Sequence, residues 1–270
     1  MSRDPTRRSL LISAAAGVTS LALAATHSAV VASSPSRAAV QGPTGSLTIV
    51  NYAMYVQDQH RVDASRAEHQ AYADALREHD RLVMGGPLLD DVGRPRGVLL
   101  VYSVASIQEA KVLAQNDPFV LKSAIADYRL AEWTALDGNV ELLAGALVAP
   151  DRRVPRKQPR VSGPTPVETD AHTARTFVNY VKYACDRSQV VRVKAAHQSY
   201  ARAIQAKGEL IMAGPFSDDS GALFIYRAQS KDEALALVEE DPYRAEGVFE
   251  TYALSEWRLF GLNARLIQGR

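Results

Sequence analysis

The sequence predicts an α+β protein built from two tandem β-α-β-β-α-β units, and three observations carry that reading. The chain repeats itself: with His69 laid on His197, an offset of 128, twelve of the 26 positions in 66–91 and 194–219 are identical. The length change between the copies falls in a turn, DDVGRPRG against DDSG, after which the offset is 124 and Asp117-Pro118 meets Asp241-Pro242, as Glu132-Trp133 meets Glu256-Trp257. Length changes confined to a Gly- or Pro-containing turn are what a hairpin loop tolerates. Finally, the hydrophobic period switches between strand and helix in the same order in both copies.

Each element follows from local residues. LTIVNYAMY and FVNYVKYA are rich in β-branched and aromatic residues and predict a first strand. A helix comes next, in which His69, Tyr72, Ala73 and Leu76 fall at i, i+3, i+4 and i+7, as do His197, Tyr200, Ala201 and Ile204. RLVMGG and ELIMAG give a second strand, and GVLLVYSV and ALFIYRA a third. The second helix opens on Ser106 with Glu109, and on Ser230 with Glu233. Both pairs read as capping boxes, in which serine and glutamate oxygens satisfy free backbone donors. Each helix stops at Asp-Pro, because proline disfavours helical backbone in the residue before it. YRLAEWTAL and YALSEWRLF then close the units.

This order is the ferredoxin-like arrangement, an antiparallel sheet with both helices on one face. The other face needs a cover, and two sheets in one chain can supply it to each other as a pseudo-dimeric α+β barrel. The alternative, in which each copy pairs with a second chain as a homo-oligomer, costs additional association entropy. The expected boundaries are a first unit at 47–143, a connection at 144–174 containing the five-proline stretch APDRRVPRKQPRVSGPTPVETD, and a second unit at 175–268.

Residues 1–38 are expected to be a signal peptide, with basic residues, an apolar run from Leu10 to Ala25 and then small residues. The run is shorter than the roughly 20 residues that span a bilayer, so no stable membrane anchor is expected after cleavage. TRRSLLI, with Arg7-Arg8, resembles the twin-arginine export signal and implies a periplasmic or secreted product. Beyond residue 38 the chain holds 27 basic and 29 acidic side chains, which argues against nucleic acid as a partner. Cys185 is the only cysteine of the 270 residues, which excludes an internal disulfide and a paired-cysteine metal site. No His-Glu-x-x-His, phosphate-binding glycine loop or GxSxG occurs, so neither metal nor other cofactor is expected.

The candidate chemistry lies in the two histidines, His69 and His197. Each second strand ends at Gly86-Pro87 or Gly214-Pro215, followed by Asp90-Asp91 or Asp218-Asp219. A histidine on the inner face of the first helix could meet an aspartate on that loop. A carboxylate beside an imidazole fixes its tautomer and suits the ring to proton transfer. Tyr72 and Tyr200, one turn beyond the histidines, are candidates for lining a pocket, although core packing with the hydroxyl satisfied is the simpler explanation. Asp117 and Asp241 read as helix terminators, Trp133 and Trp257 as packing anchors, and His60 and His79 as surface residues.

Taken together, the helix with its central AHxxY-type histidine, the AGP turn followed by Asp-Asp, the capped second helix ending in Asp-Pro plus an aromatic, and the closing strand resemble the YCII-related family in both copies. The first copy departs in Glu68 before the histidine and Gly85 where the second has Ala213. The resemblance implies a His/Asp acid–base pair beside a small pocket. Carried across, that means His69 with Asp90 or Asp91, and His197 with Asp218 or Asp219, with Tyr72, Gly86, Pro87, Tyr200, Gly214 and Pro215 around the ligand. The expected function is proton transfer on a small organic molecule, of lyase, isomerase or hydrolase type. The rival reading is a non-catalytic module that binds a small molecule or serves only for pairing.

Overall fold

A computed structural model describes residues 46–136, 138–147, 174–184 and 186–268. The expected signal peptide, residues 1–38, and the proline-rich stretch lie outside them. The first repeat runs β1 (Leu47–Tyr55), α1 (Gln59–Glu78), β2 (Leu82–Leu89), β3 (Pro95–Val104), α2 (Ile107–Asn116), α3 (Pro118–Leu121), β4 (Ile125–Glu132) and α4 (Val140–Gly145). The second runs β5 (Arg175–Tyr183), α5 (Arg187–Ala206), β6 (Leu210–Pro215), β7 (Gly221–Ala228), α6 (Lys231–Glu239), α7 (Pro242–Ala245), β8 (Phe249–Trp257), β9 (Gly261–Leu262) and α8 (Arg265–Gln268). The expected βαββαβ order therefore holds in both copies. The expected connection is trimmed at its start, since α4 reaches Gly145.

Period-two alternation divides each strand between two cores. Ile49, Ala53 and Tyr55 of β1, with Val98, Leu100 and Tyr102 of β3, pack under α1 and α2. Val50 and Tyr52, with Leu99 and Val101, face the other way. There they join Val178, Ile211, Leu223 and Ile225 of the second repeat in one shared interior. The second repeat keeps its own helix-side core around Phe177, Phe224, Tyr226 and Val238. Strands buried on both faces read as nearly continuous apolar runs, which is how they appear in the sequence.

The two sheets face each other and are also continuous at their edges. Strand order is β4, β1, β3, β2, β8, β5, β7, β6, with β9 also on β2. Beyond β4 the chain pairs Trp133 with Phe216 and Leu136 with Ala213, so the outermost strands meet and the barrel closes. The seams are matched pairs. Arg258 and Phe260 donate backbone N–H to Pro87 and Gly85 at 3.1 and 3.0 Å, while Thr134 and Leu136 donate to Pro215 and Ala213 at 3.0 and 2.7 Å. Each repeat thus lends its last segment to the other's second strand, and closure leaves few unpaired edges.

Glycine is required where these segments cross. A Cβ on Gly86 would lie 1.8 Å from the Arg258 carbonyl oxygen, and one on Gly214 would lie 2.0 Å from that of Thr134. Trp257 Nε1 donates to the Gly86 carbonyl at 3.0 Å and Trp133 Nε1 to that of Gly214 at 2.9 Å. The tryptophans expected as packing anchors also bind the seam.

Candidate active site

The capping signals place the functional side chains. Ser106 accepts from Glu109 N and Ser230 from Glu233 N, fixing where α2 and α6 begin. α2 ends at Asp117 and α6 one residue before Asp241; both aspartates are in extended backbone and start a second, four-residue helix as its N-cap. Asp117 accepts from Phe119 N at 2.9 Å and Asp241 from Tyr243 N at 2.8 Å, while proline occupies the first helical position. The turn holds a carboxylate and an aromatic ring in fixed relation, and α1 or α5 packs across it.

His69 meets this unit. Its Nδ1 lies 2.8 and 2.9 Å from the two Asp117 oxygens, and its ring stacks on Phe119 at 4.1 Å. His197 repeats the arrangement, with Nδ1 at 2.8 and 3.0 Å from Asp241 and its ring on Tyr243 at 3.9 Å. His69 belongs to the buried stripe of α1 with Val62, Ser65, Ala73 and Leu76. An imidazole whose Nδ1–H is directed at a carboxylate presents its Nε2 on the opposite side of the ring. Each ring lines a cavity between the first helix and the sheet.

The aspartates expected to partner the histidines are elsewhere. Asp90 turns the β2–β3 hairpin, accepting from Val92 N and Arg94 N, and its carboxyl is held below the usual carboxylate range chiefly by the Arg94 backbone N–H. Asp91 is ion-paired with Lys231 of the other repeat. Asp218 accepts from Ser220 N at 2.9 Å, and Asp219 takes a left-handed φ of 56°. Asp90 and Asp218 satisfy turn amides and Asp219 supplies left-handed backbone, both roles that suit a short carboxylate. The carboxylates that reach the rings are Asp117 and Asp241, the supposed helix terminators.

Tyr72 and Tyr200 fit the packing reading, with the hydroxyl satisfied, rather than the pocket-lining one. Their hydroxyls donate to the Leu113 and Leu237 carbonyls at 2.9 and 2.8 Å, tying the first helix of each repeat to the second. Neither lines the histidine cavity. Gly86, Pro87, Gly214 and Pro215 line the cavities.

Sequence reasoning missed three pairs of contributors. Tyr55 and Tyr183 sit at matching positions in the two cavities, with burial pushing both phenols up so that they stay neutral and able to donate. Phe119 and Tyr243 supply the stacking faces, and the Asp-Pro-aromatic echo was their available signal. Leu136 lines the His197 cavity and Phe260 the His69 cavity, each arriving from the opposite repeat. Neither site is complete without the other half of the chain. Among the described residues no group of three or more His, Cys, Asp and Glu is placed to hold a metal ion.

Solved structures with similar outlines include a haem-binding protein from Thermus thermophilus, at 12% identity over 82% of this chain and 93% of that one, TM-score 0.46. A chlorite dismutase from Candidatus Nitrospira defluvii matches at 9% identity over 78% and 90% of the two chains, TM-score 0.47. The dehydrochlorinase TftG from Burkholderia phenoliruptrix AC1100 matches at 26% identity over 32% of this chain and 93% of that one, TM-score 0.29. At these TM-scores none of them speaks to this chain's chemistry. In sequence, the uncharacterized protein YjpA of Bacillus subtilis strain 168 is 37% identical over 65 residues, which is 24% of this chain and 75% of that protein. The YCII-related domain matches residues 47–134 and again 176–258, well over half of the chain, and the protein therefore belongs to that family with the domain present twice.

Proposed function

We propose that the repeated histidine–aspartate pair serves acid–base chemistry on a small organic molecule, with His69 or His197 moving a proton through Nε2. Asp117 and Asp241 hold the rings in the required tautomer. The observation that carries this reading is the doubled geometry: a histidine lining a cavity, its Nδ1 against both oxygens of a capped and buried aspartate.

With Nδ1–H directed to the carboxylate, the Nε2 lone pair takes a proton from a substrate carbon, hydroxyl or water. The imidazolium returns it to a leaving group or a neighbouring atom. The nearby carboxylate stabilises the imidazolium, and the apolar walls strengthen that attraction by excluding water. A neutral Tyr55 or Tyr183 phenol can donate to an oxygen that gains charge. Elimination, isomerisation and hydrolysis all need these steps, with no redox partner.

The test has two parts. Substrate loss is followed by proton NMR over a set of small carbonyl, enol and halogenated acids. Turnover by the wild-type protein is expected to vanish in the His69→Gln/His197→Gln double variant, and turnover that survives defeats the proposal. Two-bond nitrogen–proton correlation spectra are expected to show Nδ1 protonated in the neutral rings, with that preference relaxed by Asp117→Asn and Asp241→Asn. Rings protonated at Nε2 in the wild type would defeat it equally.

We propose further that the protein is exported, on the support of Arg7-Arg8 and the apolar run that follows. A reporter fused behind residues 1–45 should leave the cytoplasm, and Arg7→Lys/Arg8→Lys should retain it.

A further inference from the structure

The two sites share their histidine, aspartate and tyrosine, yet their cavities differ. The His197 cavity encloses about 200 Å³ and the His69 cavity about 80 Å³. A cavity of about 150 Å³ accepts benzene, so the larger takes one ring with its substituents and the smaller takes a few water molecules.

Arg77 makes much of this difference. It lies eight residues beyond His69 on the same face of α1, where α5 has Gln205 eight residues beyond His197. The Arg77 guanidinium lies against Gly261, so closely that a Cβ there would be 2.4 Å from Nη2. Asp74 holds it at 2.9 Å, and its Nε is buried without a hydrogen-bond partner. Phe260, at the position of Leu136 in the other site, adds bulk to the same wall.

Charge separates the sites as well. Helix α1 carries Asp63, Glu68, Asp74 and Glu78, and both arginines of its cavity are ion-paired within the helix, Arg66 with Asp63 and Arg77 with Asp74. Helix α5 carries Arg192, Lys194 and Arg202 and no carboxylate. Arg202, at the position of Asp74, lines the His197 cavity and has no carboxylate partner among the described residues. Below it the walls are apolar, with Leu210, Ala213, Ala222 and Phe224. An apolar slot with one cation at its rim suits a flat ring bearing a carboxylate or phenolate.

We propose that the second-repeat cavity is the ligand-binding site, taking a single-ring organic anion whose charge faces Arg202, and that Arg77 closes the first-repeat cavity. This rests on the acid–base reading for what the site does to its ligand, but not for which site is open.

Diethyl pyrocarbonate reads that difference without a known substrate. Nε2 attacks one carbonyl carbon, the new N–C bond carries the ethoxycarbonyl group, and ethanol and carbon dioxide leave. Each ring has an equivalent aspartate partner, so the relative rates report access. Peptide mass mapping is expected to show His197 modified several-fold faster than His69. Arg77→Gln should raise the His69 rate, and Gln205→Arg should lower that of His197. Benzoate should protect His197 and not His69. Arg202→Gln should raise the half-protecting benzoate concentration several-fold while leaving protection by benzyl alcohol unchanged.

Equal rates in the wild type, a comparison that needs no variant, or a His69 rate unmoved by Arg77→Gln in a protein with a native circular dichroism spectrum, overturn the closure by Arg77. Benzoate that fails to protect, or protects equally after Arg202→Gln, overturns the ligand class. If the acid–base reading alone is wrong, the rate contrast persists while turnover ignores the histidines. If the inequality alone is wrong, turnover falls equally with His69→Gln and His197→Gln.

Discussion

Trp133 reaches across to the Gly214 carbonyl at 2.9 Å, and Trp257 reaches across to that of Gly86 at 3.0 Å. The swapped segments that follow each tryptophan use the same backbone partners in the same spacing. The walls of the two histidine cavities do not match: Arg77 stands against Gln205, Asp74 against Arg202, and Phe260 against Leu136. Duplicated parts that hold each other must stay complementary, because a change on one side of a seam needs its match on the other. Cavity walls answer only to what enters them, and there the copies have diverged.

The seam is where that equivalence can be broken hardest. Gly86→Val and Gly214→Val each drive a side chain into a backbone carbonyl that cannot step aside, and each is expected to cost about 3 kcal/mol or more. Urea midpoints check this, and the two losses should be alike. A large inequality would mean that one seam carries the barrel and the other only follows it. Trp133→Phe and Trp257→Phe come next. Each leaves a buried glycine carbonyl without its donor at about 1 to 3 kcal/mol, and again the pair should agree.

The aspartates sharpen the comparison at the sites. Asp117 and Asp241 cap a short helix as well as holding the histidine, and asparagine keeps the first role while weakening the second. Asp117→Ala and Asp241→Ala are expected to destabilise by about 0.5 to 2 kcal/mol more than the asparagine variants, the range of a lost cap. If alanine and asparagine prove equal, the cap contributes nothing and the histidine contact carries the whole effect.

What the sequence makes legible here is what local residues decide. Ser106 and Ser230 announce the second helices because their partners lie three positions on, and the nearly continuous apolar runs announce the strands because both faces are covered. The histidines stand out by helical spacing. Their partners do not, since Asp117 and Asp241 already have a sufficient local explanation in ending a helix before proline, and the contact to His69 crosses 48 residues. Asp90 and Asp218 mislead for the complementary reason: closeness along the chain to the Gly-Pro turn suggests closeness to the ring, whereas their oxygens serve the turn's own amides. The exchange of terminal segments was equally out of reach, because nothing in YRLAEWTAL tells whether its end pairs within its copy or across to the other. Arg77 is visible as a difference between copies, but its closing of a cavity depends on Gly261 lying opposite.

The smallest expected effect concerns Tyr72 and Tyr200, whose hydroxyls bridge the two helices of each repeat. Phenylalanine at either position removes one hydrogen bond to a carbonyl and is expected to cost about 1 kcal/mol at neutral pH, equally in the two repeats. Alkaline conditions add a second signature. Burial, reinforced by the Asp117 charge, raises the Tyr72 phenol from 10.0 to about 12. Between those values the unfolded chain has released its proton while the folded chain keeps it, so unfolding releases a proton and stability falls as pH rises. The contribution is complete below the unfolded value and gone once pH passes the folded one. Tyr200 is raised in the same direction by burial and then by Glu240, so both repeats lean the same way. Urea midpoints compared at about pH 9 and about pH 11 should therefore fall for the wild type and fall less for the Tyr72→Phe/Tyr200→Phe variant. An unchanged slope would mean that these two phenols are as hydrated in the folded chain as in the unfolded one, and that the bridge between the helices opens to water.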